Sequence, residues 1–226
     1  MVMLIIALVF GLFPGFAWLI FYMGEDPHPE PKRLIAFTFI VGMAFGFFTV
    51  AIETMFSGWT TGIGIQELSL LSLLGLAIIE ETMKFAAAYF AINRTPEFKE
   101  PIEAMIYIIV AALGFATLEN IGAISGISPQ AAFIPAVLET ISLRFIGATL
   151  LHTLTSGIVG YHWALGIARG KIKRSILLGL GIAAVVHTIF NYLILTYGGI
   201  IYPVIFLIIV GFVVLNDFEK LKVVPI

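Results

Sequence analysis

Two adjacent carboxylates and a lysine stand together inside a long apolar stretch of this sequence. Glu80, Glu81 and Lys84 fall within the run 68–92, which is otherwise long and apolar enough to be a membrane-spanning helix. An ionised side chain at the bilayer centre costs about 3 kcal/mol on insertion scales, so such residues usually face a bundle interior and serve ion pathways, proton relays or chemistry. The cluster therefore predicts a functional centre.

The spacing of the three residues favours acid–base chemistry. Glu80 and Lys84 are four residues apart and share a helix face, and Glu81 is also within reach of Lys84. Burial favours the neutral form of a carboxyl group, whereas a neighbouring ammonium favours the ionised form. One glutamate could therefore pair with Lys84 while the other acts as a base, and the sequence does not decide which. The structural alternative is a polar cluster that only holds helices together.

The composition is that of an integral membrane protein. Of 226 residues, 60% are hydrophobic and 12% are charged, and the mean hydropathy is +1.08. These values lie far outside those of a soluble domain. A net charge of −2 without a basic tract argues against nucleic-acid binding, and the absence of cysteine excludes disulfides and thiol nucleophiles. Chemistry must therefore rest on Glu, His, Asn, Lys or Arg.

Seven apolar segments predict an all-α, polytopic transmembrane helix bundle that forms one domain over residues 1–226. They are 1–23, 34–56, 68–92, 101–124, 144–168, 175–197 and 200–215. The first lacks a basic n-region and a cleavage site, so we expect it to remain as a span. Residues 129–142 are interrupted by prolines and too short to cross, which predicts an interfacial or re-entrant helix. Eight spans are the alternative.

The distribution of lysine and arginine predicts the orientation. Ten of the 12 basic residues lie in 24–33, 93–100, 169–174 and the tail after 215, and seven spans place these four segments on one side. By the positive-inside rule that side is cytoplasmic. We therefore expect the N-terminus outside and the C-terminus in the cytoplasm.

Four predicted helices bring ionisable groups to similar depths. Counting about 1.5 Å per residue from the outer end of each span puts these groups roughly 7 to 18 Å deep. In order of depth they are Glu119, His152, His187 and Glu80. Asn191 follows His187 by four residues and shares its helix face. The groups are therefore expected to meet between the outer surface and the membrane centre.

Two hydrolytic mechanisms fit these residue types, and both remain open. Glu119, His152 and His187 could bind zinc or another divalent metal, which leaves one glutamate of the adjacent pair as the base. Alternatively, a carboxylate activates water without a metal, while His187 and Asn191 stabilise the oxyanion. Both mechanisms hydrolyse a carbonyl compound.

Taken in order, four motifs resemble those of the PrsW family of intramembrane proteases, which is related to the CAAX prenyl endopeptidases and the abortive-infection membrane proteins. The motifs are Glu80-Glu81-x-x-Lys84, Phe115-x-x-x-Glu119-Asn120, Arg144 followed by His152, and His187-x-x-x-Asn191, preceded by the loop DPHPEP at 26–31. The resemblance covers residues 18–191.

The resemblance implies a protease of the prokaryotic cell membrane that cleaves membrane-anchored proteins, such as an anti-sigma factor, near the outer face. The catalytic group that it implies comprises Glu80, Glu81, Glu119, His152, His187 and Asn191, supported by Lys84, Asn120 and Arg144. The prenyl-protease relatives carry a histidine at the position of Glu119 and an arginine-type residue at the position of Lys84. Their substrate preference is therefore not carried over.

Two alternatives from other functional classes are a proton- or ion-coupled transporter or channel, and a non-catalytic membrane scaffold. A line of Glu, His and Lys in a bundle is also what a proton relay needs. Transporters commonly show inverted repeats and helices broken near the midplane. The sequence shows neither feature, which favours the protease.

Overall fold

The computed structural model describes residues 2–25, 30–98, 100–128 and 132–222. The elements are α1 (Val2–Met23), α2 (Lys32–Gly62), α3 (Leu70–Ile92), α4 (Pro101–Ser125), α5 (Phe133–Ile146), α6 (Ala148–Ala168), α7 (Ile172–Tyr197) and α8 (Ile201–Lys222). No strand occurs in these ranges, which confirms the predicted all-α class. Most of the DPHPEP loop, residues 26–29, and Pro129 lie outside the described residues.

The described helices form the polytopic bundle that the apolar segments predict. Six helical stretches are long and apolar enough to cross a membrane: α1, α2, α4, α5 taken together with α6, α7 and α8. The remaining helix, α3, has 23 residues but carries the three charged side chains of the Glu80 cluster. It packs against α2, α4 and α7. Counted with α3, the six apolar stretches agree with the predicted seven.

Helix α4 forms the centre of the bundle. Pro101 stands in its first turn, where a missing backbone N–H is tolerated, and every residue from Pro101 to Thr117 is buried. The helix packs against α1, α2, α3 and α6. Because α4 touches so many neighbours, side chains near its C-terminal end can reach groups on several other helices.

The crossing of α2 and α4 depends on two glycines. A Cβ atom on Gly42 would lie 2.0 Å from the carbonyl oxygen of Ala111, and one on Gly114 would lie 2.0 Å from that of Phe39. Neither distance is possible, so both backbones can meet only where side chains are absent. Gly42 and Gly114 therefore permit the close packing of α2 against α4.

The short helix α5 lies where the proline-interrupted segment was predicted. Its 14 residues are too few to span a bilayer. It packs on α1 and α4 through a small cluster of Ala7, Ile124, Val137 and Ile141. The predicted start of the next span at Arg144 is wrong, because the helix breaks at Gly147 (φ −108°, ψ −96°), and Arg144 belongs to the last turn of α5.

Two contacts tie the end of α8 to the connection that follows α1. Lys222 Nζ lies 3.0 Å from Glu25 Oε2, and the rings of Tyr22 and Phe218 stack with centroids 5.9 Å apart. Two of the basic segments therefore lie at the same end of the bundle, as seven spans require.

Candidate active site

Four helices contribute charged or imidazole side chains to one buried cluster. The members are Glu80, Glu81 and Lys84 from α3, Glu119 from α4, His152 from α6 and His187 from α7. The two imidazole rings stand edge to face, with centroids 5.5 Å apart. The bundle thus brings together six residues that the sequence singled out from distant segments.

Glu81 is the carboxylate that is held in place. Its Oε1 accepts a hydrogen bond from Lys84 Nζ at 2.6 Å and lies 2.7 Å from His187 Nδ1. Both members of the ion pair are inaccessible, with 1% of Glu81 and 0% of Lys84 exposed. With the Nδ1–H of His187 donated to Glu81, Nε2 is the ring nitrogen that keeps a lone pair.

Glu119 holds the second histidine in the same manner. Its Oε2 lies 3.0 Å from His152 Nε2 and accepts a hydrogen bond from Arg144 Nη2 at 2.8 Å. Arg144 also donates through Nε to Asn120 Oδ1 at 2.5 Å, and the Asn120 amide donates to Thr149 Oγ1 at 3.2 Å. With Nε2–H donated to Glu119, His152 keeps its lone pair on Nδ1. Arg144 therefore orients a carboxylate of the cluster.

Glu80 faces both histidines with an oxygen that has no partner. Its buried Oε2 makes no hydrogen bond within the described ranges. This oxygen lies 3.7 Å from His152 Nδ1 and 3.7 Å from His187 Nε2. The two ring nitrogens that keep lone pairs are thus the two that face this carboxylate oxygen.

The residues at this point fit a divalent metal ion. Glu80, His152 and His187 each offer one ligand atom, and these atoms lie within 4.8 Å of one another. One carboxylate and two imidazoles form a set that zinc and other first-row metals bind. Each histidine also gives its other ring nitrogen to a carboxylate, which is usual for metal-ligating histidines.

The fitting set differs in one member from the predicted set of Glu119, His152 and His187. Glu119 binds Arg144 and the other ring nitrogen of His152, so Glu80 takes the place beside the two imidazoles. Lys84 adds a constraint, because its Nζ lies 2.9 Å from His152 Nδ1. An ion at this point would compete with the ammonium for the single lone pair of that ring nitrogen.

Asn191 stands apart from the contacts described above. It lies on α7 one turn after His187, is half-buried, and lines a cavity of about 350 Å³. Arg144, in the last turn of α5, and Gly147, between α5 and α6, line the same cavity. Asn191 therefore shares a cavity with Arg144, the residue that pairs with Glu119 of the cluster.

Glu53 is a fourth carboxylate near the site that the sequence analysis missed. It lies on α2, is half-buried, and its carboxyl is close enough to that of Glu80 for hydrogen bonding. Both residues line a groove of about 950 Å³ that runs along α2 and the first half of α3. The sequence does contain a sign of this residue. Glu53 is the one charged residue of the apolar segment 34–56, and a charge inside a membrane-spanning segment is costly.

Comparison with known proteins identifies the family. The profile of the family described as PrsW family intramembrane metalloprotease matches residues 30–216. The chain belongs to this family. Relatives named Protease PrsW include one from Geobacillus kaustophilus, 29% identical over 73% of this chain and 67% of the relative. The one from Bacillus subtilis is 26% identical over 85% of this chain and 84% of the relative. No solved structure matches the chain.

Membership of the PrsW family makes this chain an enzyme and an integral membrane protease. The family that the four motifs resemble is confirmed, and so is the predicted enzyme class. The match over 30–216 includes every residue of the buried cluster and Glu53.

Proposed function

We propose that this PrsW-family chain hydrolyses a peptide bond of a membrane-anchored protein with Glu80 as the base. The observation that supports the proposal is the buried Oε2 of Glu80, which makes no hydrogen bond to the described residues and stands 3.7 Å from a ring nitrogen of each histidine. A water molecule that reaches this oxygen has a carboxylate and two imidazole nitrogens as neighbours. General-base activation needs such a carboxylate within hydrogen-bond reach of the water.

The other carboxylates position the reacting groups. Glu81 fixes the ring of His187, Glu119 fixes that of His152, and the charge of Glu81 is compensated by Lys84. In the reaction, Glu80 takes a proton from water as the water oxygen bonds to the peptide carbonyl carbon. The C–N bond then breaks, and the proton on Glu80 passes to the leaving amine nitrogen.

Stabilisation of the oxyanion by His187 and Asn191 is the remaining part of this proposal; it needs His187 as the imidazolium, because neutral His187 donates its Nδ1–H to Glu81 and keeps a lone pair on Nε2. It is supported by their spacing of one turn on α7. Donors that face the developing negative charge are often the largest single contribution to acyl transfer.

In a metal-dependent alternative, Glu80 would be a ligand instead of the base, and Glu80, His152 and His187 would hold the ion. A divalent metal such as zinc supplies a Lewis acid that activates water and polarises the carbonyl. Glu81 and Glu119 would orient the two imidazoles as they do in the contacts described above. The ammonium of Lys84 would have to leave His152 Nδ1 for that nitrogen to bind the ion.

We further propose that the chain lies in a prokaryotic cell membrane with its N-terminus outside. The basic residues support this orientation, and the relatives named Protease PrsW come from bacteria. In this orientation α2 ends and α3 begins at the outer face, so cleavage occurs near that face. Single-span proteins with an outer segment, such as an anti-sigma factor, are the proposed substrates.

Glu80→Gln tests the assignment of the base. We expect cleavage to fall by at least about 100-fold, because an amide cannot accept the proton, while the fold is retained. Mass spectrometry of membrane-protein termini, in vesicles carrying wild type or variant, measures the loss. Glu139→Gln on α5, which is exposed, is the matched control. Undiminished cleavage by Glu80→Gln would refute the proposed base.

Elemental analysis of purified protein separates the two forms of the mechanism. The metal-dependent form predicts about one zinc-like ion per chain, lost in His152→Ala. Full activity in chelator, with no metal in the purified protein, leaves the form in which glutamate acts on water directly.

A further inference from the structure

We propose that the groove beside Glu80 is the substrate-binding cleft and that Glu53 selects a lysine or arginine side chain close to the cleaved bond. This inference rests on the proposed function and adds the class of substrate segment. Three features of the groove support it: the open space beside two glycines of α2, the acidic side chains that line it, and the position of Glu53 next to Glu80.

The wall that α2 contributes is open. Gly58 and Gly62 are four residues apart, so they lie on one face of α2, and both line the groove. A Cβ atom added to either would meet no atom within 4 Å. The packing of the protein therefore does not require glycine at these positions, in contrast to Gly42. The volume of about 950 Å³ is sufficient for several residues of an extended polypeptide.

The charged groups that line the groove are all acidic. They are Glu53, Glu67 and Glu80, and no lysine or arginine stands beside them among the described lining residues. The hydroxyls of Thr54 and Thr61 donate to backbone carbonyls of α2 at 2.7 Å, which leaves their oxygens as acceptors towards the groove. A cleft lined by one sign of charge attracts the opposite charge, and more so where its walls have a low dielectric constant.

The cations of the site are already committed to other carboxylates. Lys84 pairs with Glu81, and Arg144 pairs with Glu119. Glu53 is half-buried, shares the groove with Glu80, and is within hydrogen-bonding reach of it. A cationic side chain that enters the groove and binds Glu53 brings its own backbone next to Glu80. The selected residue must therefore lie close to the bond that is cut.

The test uses a single-span reporter protein whose outer segment carries Lys, Gln or Glu at one position beside the cleaved bond. In competition, wild type is expected to cleave the Lys reporter about tenfold faster than the Gln reporter, because a charged hydrogen bond forms. Glu53→Gln should remove this preference, and Glu53→Lys should shift it to the Glu reporter. Glu139→Gln, the same change at an exposed site, should keep it.

A second variant tests the cleft without changing any charge. Gly58→Leu fills open space, so we expect it to slow cleavage of all three reporters while the unfolding temperature does not fall. If Glu53→Gln fails to fold, the preference of wild type and the effect of Gly58→Leu decide the question.

The remaining outcomes separate failure of this inference from failure of the proposed function. Equal wild-type rates on the Lys and Gln reporters, with Glu80→Gln inactive, overturn this inference and leave the proposed function standing. The same holds if folded Glu53→Gln keeps the preference or if Gly58→Leu has no effect. Absence of cleavage of every reporter and of native membrane proteins by wild type overturns both.

Discussion

At the scale of single residues, two adjacent glutamates have opposite surroundings. Glu81 binds an ammonium and an imidazole through Oε1, whereas the Oε2 of Glu80 lies between two imidazoles, 3.7 Å from a nitrogen of each. Neighbouring helical residues point about 100° apart, so one faces Lys84 and the other the space between α6 and α7. In the proposed mechanism this rotation gives the two carboxylates different roles, since Glu81 positions His187 and Glu80 reacts.

The buried pair of Lys84 and Glu81 leads to a prediction about stability. Lys84→Met leaves the Glu81 carboxylate without its cation, which should cost about 3–5 kcal/mol of folding free energy. In Glu81→Gln/Lys84→Met the charge is gone from both partners, so much of the stability should return while activity stays low. Thermal unfolding in detergent measures the cycle. Thr82→Ala, at an exposed neighbour on α3, is the control. Equal destabilisation in the single and double variants would contradict the pairing.

Much of the candidate site could be predicted from the sequence, because charge inside an apolar helix is costly wherever the helix packs. Glu80, His152 and His187 stand out on these grounds alone. The metal-fitting set could not be predicted, because it depends on which ring nitrogen faces which carboxylate. Glu53 was missed for a similar reason: it has no charged neighbour along the chain, and only the packing of α2 against α3 brings it to Glu80.

At the scale of helices, α2 carries glycines in two different surroundings, one packed against α4 and one beside the groove. Gly42→Ala places a methyl group against the Ala111 carbonyl, so we expect a loss of about 1–3 kcal/mol in stability. Gly58→Ala on the same helix meets no atom and should be neutral or stabilising by up to about 1 kcal/mol. Parallel unfolding measurements on the two variants make the comparison. Similar effects at both positions would mean that the helices separate more easily than their contact suggests.

Helix boundaries were predicted less well than helix identities. The second apolar segment was predicted to end at 56, but α2 continues to Gly62 and so forms the wall that carries Gly58. The boundary at Gly147 was missed because the sequence on both sides is apolar and helix-forming. In both cases the composition of the segment does not by itself mark the residue at which the helix ends.

At the scale of the whole molecule, the orientation can be tested with cysteines, because the chain has none of its own. Gln66 lies between α2 and α3, and Arg169 follows α6; both are exposed. We expect Gln66→Cys to react with a membrane-impermeant maleimide on intact cells, and Arg169→Cys to react only after permeabilisation. The cysteine-free parent is the control. Reaction of both from the same side would contradict seven spans, and the reversed pattern would invert the orientation.

The charged centre of α3 also bears on how the protein is made. A helix with three charges at its middle is a poor candidate for release into lipid on its own. The imidazole that binds Glu81 belongs to a residue synthesised 106 positions later. During translation α3 must therefore remain in a polar environment, or in contact with α2 and the insertion machinery, until α7 emerges. The buried cluster is therefore completed only after α7 has been made, and a chain truncated before α7 lacks the imidazole that binds Glu81 on α3.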